Sequence, residues 1–180
     1  MNRILVYAFL IISVCASAQF DPTKVSHESP ISKVDVGLGA GLDYGGFGGR
    51  LTYYPDPHFG AFGSVGYTLV GTGYNIGIKG LIRPFKYISW SAGAMYGYNS
   101  VLKVSGINGF SSKTYYGPSL LVGALIHESM KRKNHISAEL IFPLRSSDYT
   151  NTVNALQSNP NVDITAPLPF AISVGYHWGL

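Results

Sequence analysis

Cysteine occurs once in the 180 residues, at position 15, and charged side chains make up only 12% of the chain. Cys15 precedes a signal cleavage site expected after residue 18, so the mature chain carries no thiol. That excludes disulfides and thiolate metal centres. With 13 Lys and Arg against 9 Asp and Glu, the main basic run being Lys131-Arg132-Lys133, the chain lacks the broad basic patch of a nucleic-acid binder. Long hydrophobic runs are missing too: beyond residue 18 no stretch approaches the roughly 20 apolar residues of a membrane helix. If the mature chain crosses a bilayer, it must do so with strands. Neither a Pro-rich linker nor a composition shift divides it, so one domain is expected.

What the chain has in quantity is Gly, 22 residues, and Tyr, 13 residues. The mixture is too apolar for disorder and too rich in Gly and Tyr for a helical bundle, and it suits short strands with tight turns. The first eighteen residues read as a cleavable signal peptide. Asn2-Arg3 is a basic start, Ile4 to Val14 is apolar, and Ala16-Ser17-Ala18 supplies small residues before a mature start at Gln19. Lipidation of Cys15 is disfavoured by the bulk of Val14 before it.

A period of two dominates the rest. Val34, Val36, Leu38, Ala40, Leu42 and Tyr44 share one face, while Lys33, Asp35, Gly37, Gly39, Gly41 and Asp43 share the other. The last strand repeats it, with Leu168, Phe170, Ile172, Val174, Tyr176, Trp178 and Leu180 against Pro169, Ala171, Ser173, Gly175, His177 and Gly179. Turn signals at Gly45-Gly46, Pro55-Asp56-Pro57, Gly71-Thr72-Gly73, Arg83-Pro84-Phe85-Lys86 and His127 to Asn134 separate eight expected strands. Their spans are 33–44, 47–54, 59–70, 74–83, 87–99, 114–126, 135–145 and 167–180. An even number of antiparallel strands can close without an edge, as hydrocarbon requires.

The non-apolar face is narrow, mixed and charged. Lys33, Asp35, Asp43, Arg50, Lys79, Arg83, Glu139, Arg145 and His177 form an expected polar cluster of the lumen, with Asn75, Ser89, Ser91, Ser119 and Ser137 among intervening Gly. A water-facing surface would show more Lys and Glu and less Gly. The opposite face is mostly Val, Ile, Leu, Ala and aromatic, and reads as a lipid-facing band. The fold expected is therefore all-β, an eight-stranded antiparallel up-and-down transmembrane β-barrel over 33–180. It is preceded by a signal peptide over 1–18 and a periplasmic segment over 19–32. Threading from a periplasmic N-terminus gathers Tyr44, Phe47, Tyr67, Tyr74, Tyr96, Tyr98, Tyr116, Phe142 and Phe170 near one rim. Tyr53, Phe59, Trp90, Tyr176 and Trp178 gather near the other, as two interfacial girdles would require. The longest connections, 100–113 and 146–166, fall on the outer side.

These residues resemble the small eight-stranded outer-membrane barrels of the OmpA/OmpX-type superfamily, in its barrel-only form, over nearly all of the mature chain. Ser173, Gly175, Trp178 and Leu180 match that family's polar-x-Gly-x-x-apolar-x-apolar terminal signal, with Leu180 where Phe is commoner. The resemblance implies insertion in a Gram-negative outer membrane among its lipid and lipopolysaccharide, and delivery by the barrel assembly machinery. It names no activity, because the family is functionally diverse.

Local motifs that suggest chemistry are each better explained by the barrel. His135-x-Ser137 with Glu139 resembles the His-x-Ser pair of lipid A deacylases. However, that face points into the lumen, His135 falls near the periplasmic end, and Glu139 is closer in sequence than that family's acid. Glu139 is better read as a counter-charge for Arg50 or Lys79. Tyr44 to Arg50 lacks the Gly-Lys-Ser/Thr ending of a phosphate loop and joins two strands. Asn159-x-Asn161-x-Asp163 lacks the central Gly and distal Glu of a calcium loop. Neither a catalytic role nor a cofactor nor a metal is expected. The leading expectation is a structural or surface-interaction barrel acting through its outer loops, with an extracellular or periplasmic protein partner left open. The alternatives are a narrow channel for small solutes and a lipid A-modifying acyl hydrolase using His135 and Ser137.

Overall fold

A computed structural model describes residues 32–68, 71–85, 87–102, 113–128, 133–157 and 168–180. The signal segment with Ala16, Ala18 and Gln19, the basic pair Lys131-Arg132 and the Asn159 to Asp163 run lie outside the described residues. Eight strands follow one another round a closed antiparallel barrel: β1 Val34–Gly41, β2 Gly46–Asp56, β3 Phe59–Tyr67, β4 Thr72–Ile82, β5 Ile88–Leu102, β6 Lys113–His127, β7 His135–Pro143 and β8 Ala171–Gly179. The ring closes where β8 pairs with β1, from Asp35 opposite Gly179 to Ala40 opposite Val174. Every strand therefore has two neighbours and no edge is left to aggregate.

Alternating sequence becomes alternating burial. Along β4 every second residue is buried, with Gly73, Asn75, Gly77, Lys79 and Leu81 inward and Tyr74, Ile76, Ile78 and Ile82 outward. Along β7 His135, Ser137, Glu139 and Ile141 point in while Ile136 and Phe142 point out. The exterior between the rims is apolar: Leu38, Leu51, Val65, Ile76, Ile78, Leu120, Ile172 and Val174 are at least half exposed. Phe47, Tyr67, Tyr74, Tyr96, Phe142 and Phe170 ring the end that carries the β1–β2, β3–β4 and β7–β8 connections, and Tyr53, Phe59, Trp90 and Trp178 ring the other. Tyr74 stacks on Tyr116 at 4.8 Å within the first girdle.

Strand ends move by up to four residues from the expected spans, β3 ending at Tyr67 and β8 beginning at Ala171, and three departures alter the architecture. The first strand ends at Gly41, three residues early, because Leu42–Tyr44 folds inward as a 3-10 turn. Gly45 closes that turn with φ of 68°, a left-handed conformation that glycine alone adopts without cost, and its N–H donates to the Leu42 carbonyl. Second, β5 and β6 are 15 residues each and run past the rim as a hairpin, with a register shift between Tyr98 and Ser100. Third, the connection after β7 carries a helix, α1 Ser147–Gln157, whose Tyr149 and Val153 pack on Tyr115 of the β6 extension. Tyr149 meets Tyr115 edge-on at 5.2 Å, and the Tyr115 hydroxyl donates to Thr152 Oγ1 at 3.0 Å.

Candidate functional site in the barrel lumen

Four strands and the inward turn bring five charged side chains into the lumen. Asp35 comes from β1, Arg50 from β2, Lys79 from β4, Glu139 from β7, and Asp43 from the inward turn; none is more than 2% exposed. Arg50 lies at the centre. Its Nη1 donates to Glu139 Oε2 at 2.7 Å and also to Asp43 Oδ2. Its guanidinium carbon lies 4.7 Å from the Tyr44 ring centroid and 5.3 Å from that of Phe62. Lys79 Nζ approaches Glu139 Oε1 at 3.9 Å. Asp43 is held from a second side by the Ser173 hydroxyl. Charges so deeply buried persist only when paired, since an uncompensated one costs several kcal/mol.

The inward turn plugs the lumen. Its carbonyls are anchored, that of Asp43 by the Ser64 hydroxyl at 2.5 Å and that of Leu42 by Asn75 Nδ2 at 2.7 Å. Tyr44 is fully buried, with its hydroxyl 2.5 Å from His177 Nε2 and 3.0 Å from Ser137 Oγ. Gly175 makes room for it, because a Cβ there would strike the Tyr44 ring and hydroxyl. On the plug side of the ion pairs lies an apolar layer of Phe62, Met95, Leu121 and Ile141, against which Leu42 packs. A second apolar cluster, Tyr54, Leu81 and Leu125, fills the other side.

Three imidazoles line the end opposite the plug. His127, His135 and His177 occupy directly opposed positions on β6, β7 and β8. His135 stacks on His177 at 4.6 Å with planes 3° apart, and His127 lies 5.4 Å from His135. Ser89 Oγ contacts His127 Nε2 at 2.9 Å. Arg50 Nη2 is 2.9 Å from His177 Nε2. A guanidinium only donates, so Nε2 is the acceptor and Nδ1–H donates to Asp35 Oδ1 at 2.9 Å. His177 fits because Gly37 opposite it has no side chain.

Of the expected lumen cluster, the structure brings together Asp35, Asp43, Arg50, Lys79, Glu139 and His177 and leaves out three members. Lys33 is exposed, one residue before β1 starts, and solvates more cheaply there than inside. Arg83 lies past the end of β4 and donates to the Pro57 carbonyl of the neighbouring turn. Arg145 lies past β7, donates to the Leu168 carbonyl and covers the Tyr149 ring at 5.2 Å. Two expected girdle residues are also corrected. Tyr44 is carried inside by the 3-10 turn, and Tyr98 is buried at the irregularity in β5, where the inside-outside alternation breaks.

The His135, Ser137 and Glu139 face does point inward, but the side chains pair differently from the motif. The imidazole at Ser137 Oγ is that of His177, at 3.2 Å, and Glu139 serves Arg50. Ser137 is 1% exposed. In the terminal strand Ser173 and Gly175 face the lumen, whereas Trp178 and Leu180 are exposed outside. His127 and the Tyr44 plug were missed by sequence reasoning. For His127 the signal was there, since it continues the Leu121, Gly123, Leu125 parity of β6.

Compared with models of protein families and with curated protein sequences, the chain matches none. Among solved structures it is similar to one described as "De novo design of transmembrane beta-barrels", with a TM-score of 0.52 and 11% identity, covering 85% of this chain and 99% of that one. It is also similar to the N-terminal β-barrel domain of Pseudomonas aeruginosa OprF, with a TM-score of 0.43 and 12% identity, covering 82% of this chain and 98% of that one. The first of these likenesses is one of fold alone, that of a transmembrane-type barrel, in keeping with the closed eight-stranded ring described above.

Proposed function

We propose that this chain is an integral outer-membrane β-barrel with a structural or surface-interaction role, and that it is not an enzyme. The observation that carries this reading is inverted polarity. The five buried charges lie on the axis while Leu38, Leu51, Val65, Ile76, Ile78 and Ile172 cover the outside. In water that exterior would be a continuous apolar band far beyond what a soluble monomer exposes. In a bilayer it is the lipid-facing belt, and strands of about 9–11 residues tilted near 45° match the hydrocarbon thickness. The lengths of β2, β3, β4, β7 and β8, 9 to 11 residues, agree.

The surface role rests on the end where β5, β6 and α1 build a projection above the aromatic rim. A protein partner would dock there, with outer-membrane lipid and lipopolysaccharide around the belt. The terminal residues Ser173, Gly175, Trp178 and Leu180 would present the chain to the barrel assembly machinery. A lumen occupied by Arg50, Tyr44 and the layer of Phe62, Met95, Leu121 and Ile141 favours a closed barrel over a narrow channel. The acyl hydrolase reading loses support because Ser137 is enclosed.

The test is gel mobility with and without boiling, combined with outer-membrane fractionation. A folded barrel in the outer-membrane fraction that migrates faster before boiling supports the proposal. Recovery in a soluble fraction, or extraction by carbonate, overturns it. Single-channel conductance above the leak level would favour the channel reading instead.

A further inference from the structure

Among the described residues the lumen buries more carboxylates than cations. Asp35, Asp43 and Glu139 are three carboxylates, and Arg50 and Lys79 are the two cations buried with them among the described residues. Arg50 takes both Asp43 and Glu139, and Lys79 turns to Glu139. The imidazoles paired with Asp35 are His177, Nδ1 at 2.9 Å from Oδ1, and His135, Nε2 at 3.9 Å from Oδ2, and Lys79 and the Tyr54 hydroxyl also act on it. Asp35 is 1% exposed, and a carboxylate so deeply buried is stabilised by positive charge brought to it.

Two atoms there also have no hydrogen-bond partner, Asp35 Oδ2 and His135 Nε2, both on residues at most 2% exposed. Buried polar atoms are rarely left so. One ligand atom from each of Asp35, His135 and His177 lies within 4.8 Å of the others. Around a tetrahedral ion with bonds of about 2.0–2.1 Å, ligand atoms lie about 3.3 Å apart, so each pair closes by at most about 1.5 Å, and the His135 ring turns out of its stack on His177 so that both in-plane lone pairs meet at the ion.

We infer that Asp35, His135 and His177 form a binding site for one divalent transition-metal ion of the zinc class, inside the barrel at the end opposite the plug. Two imidazoles and a carboxylate are the donor set that zinc, cobalt and nickel favour over magnesium and calcium. The ion adds positive charge beside Asp35, and it uses the two unpartnered atoms. Coordination at His177 Nδ1 displaces its proton from the bond to Asp35 and places the ring proton on Nε2, where the Tyr44 and Ser137 oxygens accept it. Arg50 Nη2 then turns to Ser137 Oγ, already 3.5 Å away. The hydroxyls thus orient the metal-binding ring from its far side, the usual outer-shell arrangement. The site fixes β1, β7 and β8 to one another beside the closure of the barrel and is a device for holding that seam shut. It does not depend on where the barrel resides.

The test uses the full chain without an affinity tag, purified in detergent, stripped with a chelator and titrated with Co²⁺. One equivalent is expected to develop visible d–d absorption, which Zn²⁺ abolishes by displacement. Magnesium and calcium at the same concentration should leave it unchanged. His135→Gln and Asp35→Asn should each weaken binding at least tenfold, whereas His58→Gln, at an exposed turn, should bind as the parent does. Gel mobility before boiling verifies that each variant is folded, and the parent titration decides the matter if one is not. Absence of stoichiometric Co²⁺ or Zn²⁺ binding by the folded parent overturns the proposal. So does parent-like affinity in a folded His135→Gln or Asp35→Asn barrel.

Discussion

Replacing Arg50 by Met is the most direct test of how this barrel is held from within. Met keeps most of the stem volume between Tyr44 and Phe62, so the change removes charge and donors more than packing. Two carboxylates lose their main partner. Glu139 keeps Lys79 at 3.9 Å, while Asp43 keeps the Ser173 hydroxyl. Breaking a buried ion pair from one side costs about 3–5 kcal/mol, and orphaning two carboxylates puts this variant at the upper end, about 4–5 kcal/mol. Adding Asp43→Asn removes the worst of the stranded charge and should recover about 1–3 kcal/mol, the coupling expected of groups in one network. Urea unfolding in phospholipid vesicles, followed by Trp90 and Trp178 on the outer surface, reads both quantities at constant m-value. A loss below about 1 kcal/mol for Arg50→Met, or a double variant no more stable than the single one, would refute the claim that the Arg50 network carries the lumen.

Substitutions at three further positions have outcomes set by the same structure. Tyr44→Phe removes the hydroxyl contacts to His177 and Ser137 and should cost about 1 kcal/mol. Tyr44→Ala also empties the plug and should cost about 3–5 kcal/mol, the difference being measured in the same vesicle assay. Ile78→Arg, half-exposed in the middle of β4, should lose about 2–4 kcal/mol in vesicles, as charge on the lipid face does near the midplane. Val153→Asp undocks α1 from Tyr115 at a cost of about 1.5–3 kcal/mol, raising protease cleavage within 147–157 at least tenfold while boiling-dependent gel mobility is unchanged.

The period of two, the turn signals and the low charge were enough to read eight closed strands, because a residue's face in a strand depends only on parity along the chain. By the same parity Asp35, Arg50, Lys79, Glu139 and His177 could be assigned inward from sequence. Parity says nothing at strand ends, which is why Lys33, Arg83 and Arg145 were read into a lumen that they lie just beyond. Nor does it survive where the backbone leaves the strand. The turn at Leu42–Tyr44 and the irregularity at Tyr98 each reversed a side chain's assignment. Partnership was a matter of tertiary structure alone. Ser137 meets His177 and Tyr44, which are 40 and 93 residues away in sequence, and Asp35 faces His177 across the closure of the ring. Local sequence can direct a side chain into the barrel, but shear and closure decide what it meets there, since each strand's stagger is set by its neighbours all the way round.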